Sequence, residues 1–142
     1  MNCFTEIAKS VLEFRSLVSA VHKGRLPLGV TGLSYVHKAH VISSLCDGFK
    51  RRAVVLVPDE ATAERLSEDL KGFGMRALVF PYRDFSYRSM ETLSREYEHK
   101  RLNVLDKMLN NEYDCVLVSA QAAVQVTIPP AVLMGKSFLK KC

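Results

Sequence analysis

Apolar residues recur at alternating three- and four-residue steps at Phe4, Ile7, Val11, Phe14, Val18 and Val21, the period that lays one stripe along an amphipathic helix. The pattern predicts a first helix that packs onto something else. Gly24 ends it, and a strand is expected from about Leu26, with Pro27 tolerated at the first residue of a strand. Further along the period changes. Ala53-Val54-Val55-Leu56-Val57, Ala77-Leu78-Val79-Phe80 and Cys115-Val116-Leu117-Val118-Ser119 are short, continuous apolar runs, as expected of strands buried on both faces. Between them lie three helical stretches. Residues 36–46 form one, closed by Asp47-Gly48. A second follows Pro58, with Asp59 as its cap, Ala63, Leu66, Leu70 and Phe73 as its core stripe, and Gly72 and Gly74 as its stop. The third is a long helix over residues 92–110, with Leu102, Leu105 and Leu109 facing inward and Ser94 to Arg101 mostly exposed charge.

Strand and helix alternating in this way call for right-handed crossovers. The expected class is therefore α/β: a three-layer parallel sheet containing the runs at Leu28, Val54, Leu78 and Val116, with helices on both faces. In such sheets ligands sit beyond the carboxyl ends of the strands. Thr31-Gly32, Pro58-Asp59, Pro81-Tyr82 and Ser119-Ala120 should then lie along one rim.

Composition narrows the setting without changing this picture. At 142 residues with 48% hydrophobic content, the chain has the size and apolar stock of one ordinary domain. No apolar run approaches the roughly 20 residues a membrane helix needs, and the amino terminus carries no basic region followed by an apolar block. Cys3, Cys46, Cys115 and Cys142 contain no C-x-x-C pair, so reduced thiols in a soluble, cytoplasmic protein are expected. The net charge of +5 permits contact with nucleic acid, but Lys50-Arg51-Arg52 and the lysines from Lys136 to Lys141 are short clusters of a kind usually just solvated.

Residues 28–41, Leu28-Gly29-Val30-Thr31-Gly32-Leu33-Ser34-Tyr35-Val36-His37-Lys38-Ala39-His40-Val41, read as a strand, a glycine turn and the start of a helix. A phosphate-binding loop is built this way. Its chemistry requires G-x-x-x-x-G-K-[ST]: glycines that let backbone N–H groups close on phosphate, a lysine for the outer phosphates and a hydroxyl for magnesium. Here Gly32 and Lys38 fall in register, but His37 stands where the second glycine belongs and Ala39 where the hydroxyl belongs. The histidine disfavours a glycine-only backbone, and alanine offers no oxygen to a metal. Thr31, Gly32, His37, Lys38 and Ala39 thus read as a degenerate phosphate loop, with no cofactor expected.

The order of that loop, Val57-Pro58-Asp59-Glu60 with Glu64-Arg65-Leu66, Phe80-Pro81, Ser94-Arg95 to Arg101-Leu102 and Val116-Leu117-Val118-Ser119 resembles a known module. It is similar to the first RecA-like subdomain in the amino-terminal UvrB-like region of bacterial transcription-repair coupling factors. Val30-Thr31-Gly32-Leu33-Ser34 opens the region of resemblance, and Thr127-Ile128-Pro129-Pro130-Ala131-Val132-Leu133 closes it. The resemblance implies a subdomain over residues 1–135, including the amino-terminal helix, and the start of a truncated second subdomain at 136–142. UvrB-like proteins keep an intact phosphate loop and insert a long aromatic β-hairpin after the third strand. Only about ten residues separate Pro81 from the long helix, too few for such a hairpin, and Tyr82, Phe85 and Tyr87 remain of its aromatics.

The resemblance implies a non-catalytic fragment of a parent that is an ATP-dependent DNA translocase, displaces stalled RNA polymerase and recruits UvrA for excision repair. UvrA would be reached through the following subdomain, and RNA polymerase and DNA only through the full-length parent. Arg83, Arg88, Arg95, Glu98, Lys100 and Arg101 are the candidate surface for other domains of the parent. The alternative is a nucleotide-binding P-loop NTPase or helicase domain in which Lys38 still holds phosphate and Ser34 or Ser43 replaces the missing hydroxyl. A metal site of His37, His40 and His99 with a cysteine is the third reading; His37 and His40 are three apart on one helix but have no third ligand near them in sequence, where zinc takes three or four, so no metal is expected.

Overall fold

The computed structural model describes residues 3–82 and 96–137. Three parallel strands, β1 (Ala53–Val57), β2 (Ala77–Phe80) and β3 (Cys115–Ser119), pair in the order β1-β3-β2. Val55 and Val79 both stand opposite Leu117, so β3 is central and fully laddered. The order explains the layers. The chain passes over β3 through one helix to reach β2 and returns through another, and right-handed crossovers in opposite directions must use opposite faces. The outgoing helix, α4 (Glu60–Gly72), packs with α3 (Tyr35–Phe49) on one face, where Ala39, Ala63, Leu66 and Leu70 meet Val57, Ala77, Cys115 and Leu117. The returning helix, α5 (Glu96–Leu109), brings Val104, Leu105 and Met108 against Phe80 and Val116 on the other.

The three apolar runs are strands as their composition predicts, but β1 is not buried on both faces. Val54 is 74% exposed and Leu56 65%. Both project on the α5 side, beside Val116 and Val118, and α5 lies over β2, leaving the edge strand bare. The expected fourth strand near Leu28 is absent as well. That segment runs as coil along α2 (Leu12–His22), lining with Phe14 and Leu17 a shallow apolar groove of about 450 Å³. Leu28 and Val30 are separated by Gly29 and followed by Gly32, so the segment offers neither the β-branched density of β1 nor a laddered partner.

The amino-terminal stripe gives two helices, α1 (Cys3–Ser10) and α2, with Val11 between them in extended geometry at φ −83° and ψ 127°. Ser10 Oγ donates to the carbonyl of Ile7 at 2.6 Å, a local bond that competes with helix propagation. The break re-aims the stripe: Ile7 and Val11 are exposed, while Thr5, Ala8 and Phe14 are buried. Thr5 Oγ1 donates to Asp47 at 2.9 Å, docking α1 on α3. That tertiary contact accompanies a longer α3, which continues through the expected Asp47-Gly48 stop and ends at Lys50 in left-handed geometry (φ 52°).

Two short helices follow β3: α6 (Ala120–Ala123) and α7 (Pro130–Ser137). On α5, Leu102 is not inward as the leucine spacing suggests but 38% exposed. The inward set is Arg101, Val104, Leu105 and Met108, at the i, i+3, i+4, i+7 spacing of one helix face. The expected start of this helix at residues 92–95 lies outside the described residues. Among the described residues, no helix is long and apolar enough to cross a membrane.

Candidate functional site

Parallel pairing places the carboxyl ends of all three strands on one side, so Pro58-Asp59, Pro81-Tyr82 and Ser119-Ala120 share a rim. β1 leads to α4 on one face and β3 to α6 on the other, which makes the crevice between β1 and β3 the reversal point where α/β folds place ligands. The polar groups there serve the helices. Asp59 accepts the Thr62 N–H at 2.7 Å as the cap of α4, and that bond holds its carboxyl below the usual carboxylate range. Ser119, 1% exposed, accepts the Ala122 N–H at 3.1 Å and caps α6. Beside them the Glu60 carboxyl is pushed up, first by burial and then by Glu64, against the pull of Lys100.

Of the five residues expected to form a phosphate loop, Thr31 and Gly32 precede α3, and His37, Lys38 and Ala39 lie in its first turns. Gly32 sits at φ +78°, a backbone that favours glycine, and Ser34 caps the helix. Its Oγ accepts from the His37 N–H at 3.5 Å and lies 2.9 Å from His37 Nδ1. His37 therefore engages the cap at the first turn. Lys38 Nζ lies 5.0 Å from the centroid of the Tyr35 ring, which the Arg65 guanidinium also approaches at 5.5 Å. Two cations thus share one aromatic ring. Ala39 is 0% exposed and part of the core beneath the sheet, so the register position of the magnesium-binding hydroxyl is a packing position here. His40 stacks on Phe73, ring centroids 5.3 Å apart.

Of the residues predicted as an interaction surface, Arg83, Arg88 and Arg95 lie outside the described residues. Glu98 and Lys100 are exposed on α5, Lys100 with its ammonium 5.6 Å from the Tyr97 ring. Arg101 differs from the expectation. It is half-buried, its guanidinium 4.2 Å from the Phe80 ring, and it donates to the Pro81 carbonyl at 3.1 Å, to Gln125 Oε1 at 2.9 Å and to Thr127 Oγ1 at 2.9 Å. It fastens the 125–127 segment to the end of β2. Around it opens a groove of about 620 Å³ whose walls include Tyr82, Tyr97, Leu105, Val126 and Ile128. The sequence signal for Arg101 was its place on the apolar stripe of α5, which a reading by charge alone passes over.

Cys115, at the start of the central strand, is fully buried, and Cys46 packs beside the same core. Burial, with Cys46 and then Asp114 adding to it, pushes the Cys115 thiol up to about 12. An unfolded chain would ionise this thiol near 8.5, so its share of stability is full below that pH and is lost as pH rises from there toward 12. Cys115 is expected to resist iodoacetamide at pH 8 in the native chain and to react once urea unfolds it. Native labelling at the unfolded rate would contradict its burial.

No family model matches the chain. The similarity found is to a transcription-repair-coupling factor. That protein, from Bacillus subtilis (strain 168), is 22% identical over 120 residues. The alignment takes in 83% of this chain but 10% of the coupling factor, so the chain spans about a tenth of its relative's length. The likeness extends over most of the described fold.

Proposed function

We propose that the chain is a non-catalytic scaffold module of a transcription-repair coupling factor, corresponding to the first RecA-like subdomain of its UvrB-like region. The observation that carries this reading is the burial of Ala39, which puts an apolar core contact where a nucleotide-hydrolysing loop needs a metal-binding hydroxyl. His37 in the cap with Ser34 supports it, as does the likeness to the coupling factor. In this reading the parent performs the ATP-driven work of displacing RNA polymerase and recruits UvrA through the next subdomain. This module lends that parent a rigid surface.

The second reading, a weak nucleotide-binding domain, draws on Lys38 and Gly32 retaining their register. A fluorescent ATP analogue with magnesium separates the two. The scaffold reading expects no saturable binding at micromolar concentration. Saturable binding that Lys38→Ala removes would establish the second reading in its place.

A further inference from the structure

The amino-terminal ends of the strands, opposite the rim, gather a charge pattern that the linear sequence disperses. α3 ends at Lys50, whose left-handed backbone turns the chain and hands Arg51 and Arg52 directly into β1. The Ala53 N–H then donates to the Asp114 carbonyl at 3.0 Å, bringing this corner beside the start of β3. Arg76 arrives from the turn before β2. Its backbone N–H, Nε and Nη2 all donate to the Asp114 carboxylate, at 2.8, 3.1 and 2.7 Å. Three chain segments thereby enclose an open concavity of about 830 Å³ lined by Lys50, Arg51, Arg52, Arg76, Tyr113 and Asp114.

The lining does not neutralise itself. Asp47 pairs with Lys50 and Asp114 with Arg76. Arg52 donates to the neutral Tyr113 carbonyl at 3.2 Å and lies 5.1 Å from the centroid of the Tyr113 ring, which fixes its direction; it also bears on Asp114, whose carboxylate is held down chiefly by Arg76. The Arg51 backbone N–H donates to the Cys46 carbonyl at 3.2 Å, but its side chain is exposed and makes no ion pair or hydrogen bond among the described residues. Four cations against Asp47 and Asp114 leave a surplus of two positive charges, and the two arginines adjacent in sequence, Arg51 and Arg52, both line the recess. Glu112, exposed on the turn before Tyr113, bears on Arg76 but does not line the concavity.

We propose that this concavity, with Arg51 and Arg52 as its contacts, is a sequence-independent binding site for the sugar-phosphate backbone of nucleic acid. Guanidiniums present paired donors that match phosphate oxygens, and two uncompensated charges over a neighbouring pair of phosphates release counterions on binding. The shape selects among polyanions. A bilayer surface is broad and does not enter a recess whose charges stand around a hollow, whereas a backbone ridge does. The site lies at the opposite end of the sheet from the degenerate loop, so it stands independently of whether that loop has kept any affinity for nucleotide.

The test is fluorescence anisotropy of the 142-residue chain with a labelled 20-nucleotide single strand and a 20-base-pair duplex of arbitrary sequence, between 50 and 200 mM salt. For two phosphate contacts on duplex, affinity is expected to fall about tenfold across that range. Arg51→Gln should remove about half of the logarithmic salt slope, and Arg51→Gln with Arg52→Gln nearly all of it. Arg51→Gln removes no internal contact, so loss of binding there is not a loss of folding; a thermal melt of each variant checks this. Lys9→Gln with Arg15→Gln, an equal charge change on α1 and α2, should leave the slope unchanged. The proposal is overturned if neither oligonucleotide binds, if the control pair weakens binding as much as the arginine pair, or if tripolyphosphate displaces the oligonucleotide at equal phosphate concentration. Arg51-dependent capture by phosphatidylglycerol vesicles without oligonucleotide binding would likewise overturn it in favour of a lipid surface.

Discussion

Leu117→Ala is expected to lower the unfolding free energy by about 2–5 kcal/mol, while Leu56→Ala, on the neighbouring strand but the opposite face of the sheet, should cost less than about 1 kcal/mol. Leu117 is 0% exposed at the middle of the central strand, in the core built by α3 and α4. Removing its side chain leaves a cavity that the strands on either side prevent from collapsing. Leu56 is 65% exposed on the uncovered side of the edge strand, so truncation removes little buried surface. Domains of this size have only about 5–15 kcal/mol in total, which makes Leu117→Ala a threat to folding at 37 °C. Urea unfolding of the two variants decides it, provided the denaturant slope is unchanged. Equal losses would mean that the bare face of β1 is covered in solution.

Arg101→Ala is expected to cost about 1.5–3 kcal/mol, the scale of hydrogen bonds involving a charged group. The guanidinium satisfies the Pro81 carbonyl, Gln125 and Thr127 together and lies over Phe80. Arg101→Lys keeps the charge but supplies a compact ammonium in place of a planar fork, so it should recover less than half of the loss. A double-mutant cycle with Gln125→Ala should show coupling above about 0.5 kcal/mol. If Arg101→Ala melts with the parent chain, the 125–127 segment is held by something else.

The functional reading and these stability effects come from different parts of the chain. His37 and Ala39 are close in sequence to Gly32 and Lys38, and their mismatch to the phosphate-loop pattern is visible without coordinates. That Ala39 is a core residue is visible only once α3 is seen packed against the sheet. Under the scaffold reading we propose, that burial argues more strongly than the missing oxygen against a hydroxyl supplied from elsewhere.

The sequence by itself determined the three strands, the helix between β1 and β2 and its cap at Asp59. Each rests on interactions within a few residues: β-branched density for the strands, and a carboxylate three residues from the N–H it accepts. Only the tertiary structure decided the break at Val11, the coil at Leu28, the bare face of β1, the inward turn of Arg101 and the meeting of Arg51 and Arg52 with Arg76. All of these depend on which element lies next to which. A continuous apolar run signals that a strand can be covered on both faces, but the placement of α5 over β2 determines whether β1 is. A charged residue on an apolar stripe, or cations distant in sequence, acquires a role only when partners from elsewhere in the chain are brought within hydrogen-bonding reach.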